Sequence, residues 1–179
     1  MHNMVRTLIA AGIGLGLASA APAQTAPAAP APIVKIWNAP NYKTLAQAVI
    51  DEIWANHKDE MVGITFHAKP QGMDKYAMIA GTWPDRVGKA SAEDDIMSAE
   101  EGFIILDPRY RKNDAEPKYL VIIPLRDQSS TNIGAIVFGF KNLPNSGKSG
   151  PDYTAIATFM RDEMQKKIPS AAALYQPAR

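Results

Sequence analysis

The side chains in this sequence best equipped for chemistry are His67, Tyr76, Trp83, Arg86, Arg109 and Tyr119. One imidazole, three aromatic rings and two guanidinium groups suit recognition better than reaction. An apolar concavity with a few convergent polar and cationic groups binds small polar or anionic molecules, and the planar guanidinium fork matches a carboxylate. Each residue also has a plainer reading. Trp83 beside Pro84 can plug a core, Arg86 with Asp85 can close a turn, His67 can be a satisfied sheet histidine, and Arg109 with Arg111 can be solvated in a charged loop. His67 is the one group here suited to general-base work, so a small exported enzyme or accessory protein using it is the second reading.

Other reactive patterns fail on spacing. Gly147-Lys148-Ser149 imitates the end of a phosphate-binding loop, but the upstream glycine position is occupied by Asn142. Glu93, Asp94 and Asp95, with Glu100 and Glu101, lack the spacing of a calcium loop; acids in a first helical turn answer the helix dipole. His57 and His67 have no third ligand at motif spacing. There is no G-x-S-x-G elbow, and nothing in the spacing recommends a triad of Ser130, His67 and Asp127. The methionines fall mostly at core-like spacing, which weighs against copper delivery. With no cysteine in the chain, thiolate chemistry, disulfides and Cys-ligated zinc are excluded. No catalytic residue, metal or cofactor is expected, and a binding module is favoured over an enzyme.

The start of the chain reads as a secretory leader. Arg6 gives a positive n-region, Leu8 to Leu17 is an apolar run too short to span a bilayer, and Ala21-Pro22-Ala23 is a small-x-small cleavage site. The expectation is a signal peptide over 1–23, a Pro/Ala-rich tether over 24–32 and one domain over 33–179, placed in the periplasm or secreted. The 179 residues carry 19 Lys plus Arg and 18 Asp plus Glu; without Arg6, 18 basic residues face 18 acidic ones. That balance argues against nucleic acid and membrane-surface partners, which call for a basic excess. No other run is apolar enough for membrane insertion after cleavage.

The elements that must position the chemistry follow from hydrophobic period. Leu45, Val49 and Ile53, with Ile50 and Trp54, predict an amphipathic helix from about Tyr42 to Lys58, starting near Pro40-Asn41. Strands are expected at Val62 to Ala68 and Lys75 to Gly81, joined as an antiparallel hairpin. Ser91-Ala92-Glu93-Asp94 resembles a capping box opening a short helix that Gly102 ends. A short strand at Phe103 to Leu106 and a charged loop from Asp107 to Glu116 come next. Strands at Tyr119 to Arg126 and Asn132 to Lys141 are apolar at adjacent positions, as in a sheet covered on both faces. A last helix starts at Pro151 and runs up to Pro169. This order predicts an α+β domain with a five-stranded antiparallel sheet and long N- and C-terminal helices. Alternation turns Ile64 and Phe66 to one face, and Thr65 and His67 to the other.

Three stretches are similar to the PAS-like extracytoplasmic sensor domains of the Cache type, found alone or ahead of bacterial histidine kinases. They are Ile64-Thr65-Phe66-His67-Ala68, the run from Ile79 through Trp83-Pro84-Asp85-Arg86 to Lys89, and Ile123-Pro124-Leu125-Arg126-Asp127 followed by Asn132-Ile133-Gly134-Ala135-Ile136. The resemblance implies a five-stranded PAS/Cache-like sheet with one face on the long helix. Its other face, under the Trp83 to Asp107 excursion, would line a small-molecule pocket containing the six residues named first. It further implies a sensor-like module that, lacking its own output domain, presents a ligand-dependent surface to a membrane kinase or transporter.

Overall fold

The computed structural model describes residues 32–109, 117–142 and 146–178. The expected leader, the tether up to Ala31 and most of the charged loop lie outside the described residues. Pro32–Arg179 forms one compact unit. No helix among the described residues is long and apolar enough to cross a membrane.

Helix α1 (Leu45–His57) starts later than Pro40-Asn41 suggests, because Thr44 is its cap: the hydroxyl accepts the Gln47 N–H at 3.2 Å. The residues before it are held extended by the C-terminal tail, through a Thr44–Pro177 bridge and the Leu45 N–H on the Gln176 carbonyl. Ala46, Val49, Ile50 and Ile53 recur at helical spacing and are buried.

Strands β1 (Met61–Ala68) and β2 (Ala77–Gly81) pair antiparallel, and helix α2 (Glu93–Glu101) follows. Its cap is Ala92 rather than Ser91: the Ala92 N–H donates to the Asp95 carboxylate at 3.0 Å. Gly102 closes the helix in the left-handed region, φ 77°, where a side chain would be strained. Strand β3 (Ile105–Arg109) begins two residues later than expected and takes in Asp107 and Pro108, which the sequence assigns to a loop. It lies at the sheet edge, where a proline missing its N–H is tolerated. Strands β4 (Lys118–Arg126) and β5 (Asn132–Lys141) and helix α3 (Gly150–Gln165) complete the order, with short 3-10 turns at Pro84–Arg86 and Ala171–Tyr175. The fold is α+β with five antiparallel strands ordered β2-β1-β5-β4-β3.

The last strand lies in the middle of the sheet, and its side chains divide the molecule. Ile136, Phe138 and Phe140 join Ile64, Phe66, Val121 and Ile123 beneath α1 and α3, forming the main core. On the other side Ala135 and Val137 meet Ala99 of α2 and Ile122 in a much smaller cluster. One face is thus filled by large side chains, and the other is only partly covered.

Candidate functional site

The partly covered face is shaped by the excursion after β2. Thr82 ties its start to β1, its N–H donating to the Ile64 carbonyl at 3.0 Å and its hydroxyl accepting the Ile64 N–H at 3.1 Å. The chain turns through Pro84–Arg86 and returns along β2, where Gly88 N–H reaches the Met78 carbonyl and Met78 N–H the Lys89 carbonyl. This return covers an otherwise open sheet edge. Gly88 is required there: φ is 96°, and a Cβ would lie 2.0 Å from the Trp37 carbonyl oxygen.

Trp83 is thereby laid flat on the sheet over Gly63, where a Cβ would lie 2.2 Å from the indole. The Arg86 guanidinium stacks over the ring, 5.0 Å from its centroid. Trp83, Arg86, Leu120 and Val137 wall two depressions. One, of about 340 Å3, has Gly63 and Gly139 in its floor and Lys118 at its margin. The other, of about 190 Å3, is lined by Thr65, His67, Met78, Lys89, Asp94 and Asp95.

His67 sits in a complete hydrogen-bond network. Thr65 Oγ1 lies 2.9 Å from Nε2, Ser91 Oγ 2.9 Å from Nδ1, and Asp95 Oδ2 3.1 Å from Nδ1. Burial is the largest influence on the imidazole and the Lys89 ammonium adds to it, bringing His67 down to about 3. His67 is therefore neutral at physiological pH. A carboxylate only accepts, so the neutral ring donates Nδ1–H towards Asp95 while Nε2 accepts from Thr65.

Of the six residues singled out from sequence, His67, Trp83 and Arg86 are brought together. Tyr76 shares their face but lines neither depression: it packs on the Ala99–Ile122–Ala135 cluster beneath the Lys69 ammonium, 4.7 Å from its centroid, and burial raises its phenol. Tyr119 lies on the opposite face, stacked on Tyr153 with centroids 4.8 Å apart, because odd-numbered β4 residues face α3. Arg109 ends β3 opposite Lys118, and its side chain lies outside the described residues. A triad of Ser130, His67 and Asp127 is not assembled. The Asp127 carboxylate accepts Ser129 N–H, Ser129 O–H and Thr131 N–H in its own turn, which holds it below the usual carboxylate range, and Ser130 Oγ meets Gln165. Among the described residues no cluster of His, Asp and Glu could hold a metal ion.

Sequence reasoning missed Ser91 and Asp95 as the partners of His67, reading both as helix-start residues. Thr65 was signalled, since it shares the His67 face by alternation. Lys118 and the glycine floor depend on strand register, and no local pattern marks them.

No family model matches the sequence, and no curated protein matches it. Solved structures do resemble the fold. The second GAF domain of DevS from Mycobacterium smegmatis is 9% identical, with 68% of this chain and 88% of that chain covered at a TM-score of 0.49. The GAF domain of the Acinetobacter phosphoenolpyruvate-protein phosphotransferase is 12% identical, with 71% and 83% covered at 0.45. The E. coli DcuS sensor domain is 16% identical, with 65% and 71% covered at 0.37.

Proposed function

We propose that this protein is a small-molecule-binding, sensor-like module of the Cache type whose ligand sits on the outer sheet face beside Trp83 and Arg86. The observation that carries this reading is the unfilled space on both sides of a stacked Trp83–Arg86 pair, in a fold whose opposite face is packed solid. An aromatic and a cation bordering apolar strand residues form the mixed surface that orients small ligands. Export through the N-terminal leader and use of a separate membrane kinase or transporter as output complete the proposal. A ligand wedged against the excursion would change the surface shown to such a partner.

The second reading, an exported enzyme with His67 as base, draws on the Asp95–His67–Thr65 chain of hydrogen bonds. A base titrating at about 3 takes a proton poorly at neutral pH, and both ring nitrogens are already engaged. The arrangement suits a fixed polar strut better than a proton shuttle.

A thermal-shift screen of organic acids, amino acids and purines tests the choice, because a ligand of the folded form raises Tm by mass action. A stabilising compound whose effect disappears in Arg86→Ala supports the binding module. No shift from any compound, together with a hydrolytic activity abolished by His67→Ala, would replace it with the enzyme.

A further inference from the structure

Resting on the binding reading above, we infer that the ligand is a small carboxylate with an apolar body, seated in the glycine-floored depression with its charged end between Arg86 and Lys118. The two depressions differ in charge. The His67 compartment sets Asp94 and Asp95 against Lys89 and the shared Arg86, so its charges balance; the other holds Arg86 and Lys118 with no acidic residue in its lining.

Strand register explains both its shape and its potential. Gly63 and Gly139 are direct partners across β1 and β5, so two side chains are missing from adjacent positions on one face. Neither glycine has a positive φ, so backbone conformation does not demand them. Gly63 makes room for Trp83. At Gly139 a Cβ would meet Val62 Cγ2 at 2.8 Å and Leu120 Cδ2 at 3.4 Å, so even an alanine would begin to fill the floor.

One step along the sheet the register sets Lys118 of β4 directly opposite Lys141 of β5. Like charges directly opposite one another in a sheet destabilise it. Acids elsewhere relieve such charge: Lys43, Lys69, Lys148 and Lys167 each pair with a carboxylate. Among the described residues Arg86, Lys118 and Lys141 form no ion pair. A carboxylate at this margin would neutralise the excess, while Leu120, Val137 and Trp83 cover an apolar body. This lining favours an amphipathic monoanion over a bare phosphate, which would leave the apolar walls wet.

Calorimetric titration of the full chain with phenylacetate and 3-methylbutanoate provides the test, with phenylacetamide and inorganic phosphate as controls. The carboxylates are expected to bind at least about tenfold more tightly than the amide, the size of one charge-assisted contact, and to weaken as salt is raised. Lys118→Met should lower affinity at least about tenfold at unchanged Tm, with Lys118→Arg retaining it; Gly139→Val should lower affinity at least about tenfold in the fraction that stays folded, and Gly139→Ala replaces the valine variant if that fails to fold. Equal affinity for amide and acid, wild-type binding by the Gly139 variants, or phosphate binding as tightly as phenylacetate would each overturn the inference. If neutral or cationic compounds bind and carboxylates do not, the carboxylate assignment fails and the binding module survives. If nothing binds, both fail.

Discussion

The two faces of the sheet are built from the same five strands to opposite ends. The inner face is closed by large rings: Phe138 stacks near Phe140 at 6.2 Å, Phe140 on Tyr153 at 5.3 Å, and Tyr153 on Tyr119 at 4.8 Å. The outer face sets Gly63 opposite Gly139, Thr65 opposite Val137 and His67 opposite Ala135, with no large ring from either strand on that face. The packed core and the proposed binding face are thus separated by residue parity along single strands. The sharpest way to break this contrast is Phe138→Ala, which leaves a large cavity in a fully buried layer and should cost about 3 to 5 kcal/mol. Chemical denaturation would measure it. A loss under 1 kcal/mol would mean that the inner face is not the stabilising one.

A second expectation concerns the polar part of the outer face. His67 is packed against Thr65, Ser91 and Asp95 with Lys89 nearby, and titrates at about 3 when folded. Above about pH 6.5 the imidazole is neutral in both folded and unfolded chains and adds no pH dependence. As pH falls below 6.5 the unfolded chain takes up a proton that the folded site refuses, so stability falls by up to about 1.4 kcal/mol per pH unit. Between pH 6.5 and 5 the loss should approach about 2 kcal/mol in the wild type and be absent in His67→Gln. This window lies above the range where Asp127 and Asp152, both held low by their own turns and caps, contribute. Parallel profiles for the two proteins would show that the network accommodates a charged imidazole, making this face as adaptable as a solvent-exposed one.

Smaller stability effects and larger binding effects are expected at the Trp83–Arg86 rim. Arg86 is exposed and makes no ion pair among the described residues, so Arg86→Ala should change stability by under about 0.5 kcal/mol while lowering the affinity for any ligand of this face. Gly63→Ala forces the indole off the strand and should impair binding through Trp83 alone. Equal losses of folding and binding in Arg86→Ala would make the rim structural and erase the distinction between faces.

How much of this division could be read beforehand depends on the strand. In β1 the alternation of Ile64 and Phe66 with Thr65 and His67 carries face assignment openly, because only one face is apolar. The sheet, the flanking helices and the α2 stop at Gly102 were legible for similar reasons: each rests on a local period or a turn residue. In β4 the run from Leu120 to Ile123 is apolar on both faces, so parity is hidden and Tyr119 could be assigned to either side. Ser91 and Asp95 carry strong local signals for a helix start, which masked their long-range role at His67. The glycine floor and the Lys118–Lys141 pair exist only through the pairing of β1, β5 and β4, which the order of elements in the chain does not reveal.

The smallest expected effect probes the boundary between the faces most directly. Tyr119 has the residue type of a ligand contact, yet its ring belongs to the inner stack, and its hydroxyl lies where a Cβ on Gly150 would come within 2.6 Å. Removing the hydroxyl in Tyr119→Phe keeps the ring on Tyr153 and vacates only that narrow space. Stability should change by under about 0.5 kcal/mol, and ligand affinity not at all. Tyr119→Ala, by contrast, removes a stacked ring and should lower stability by about 1 kcal/mol or more without a specific effect on binding. A binding defect in Tyr119→Phe at unchanged Tm would mean that the ligand reaches through the sheet margin to the inner side, so that parity along β4 no longer separates recognition from packing.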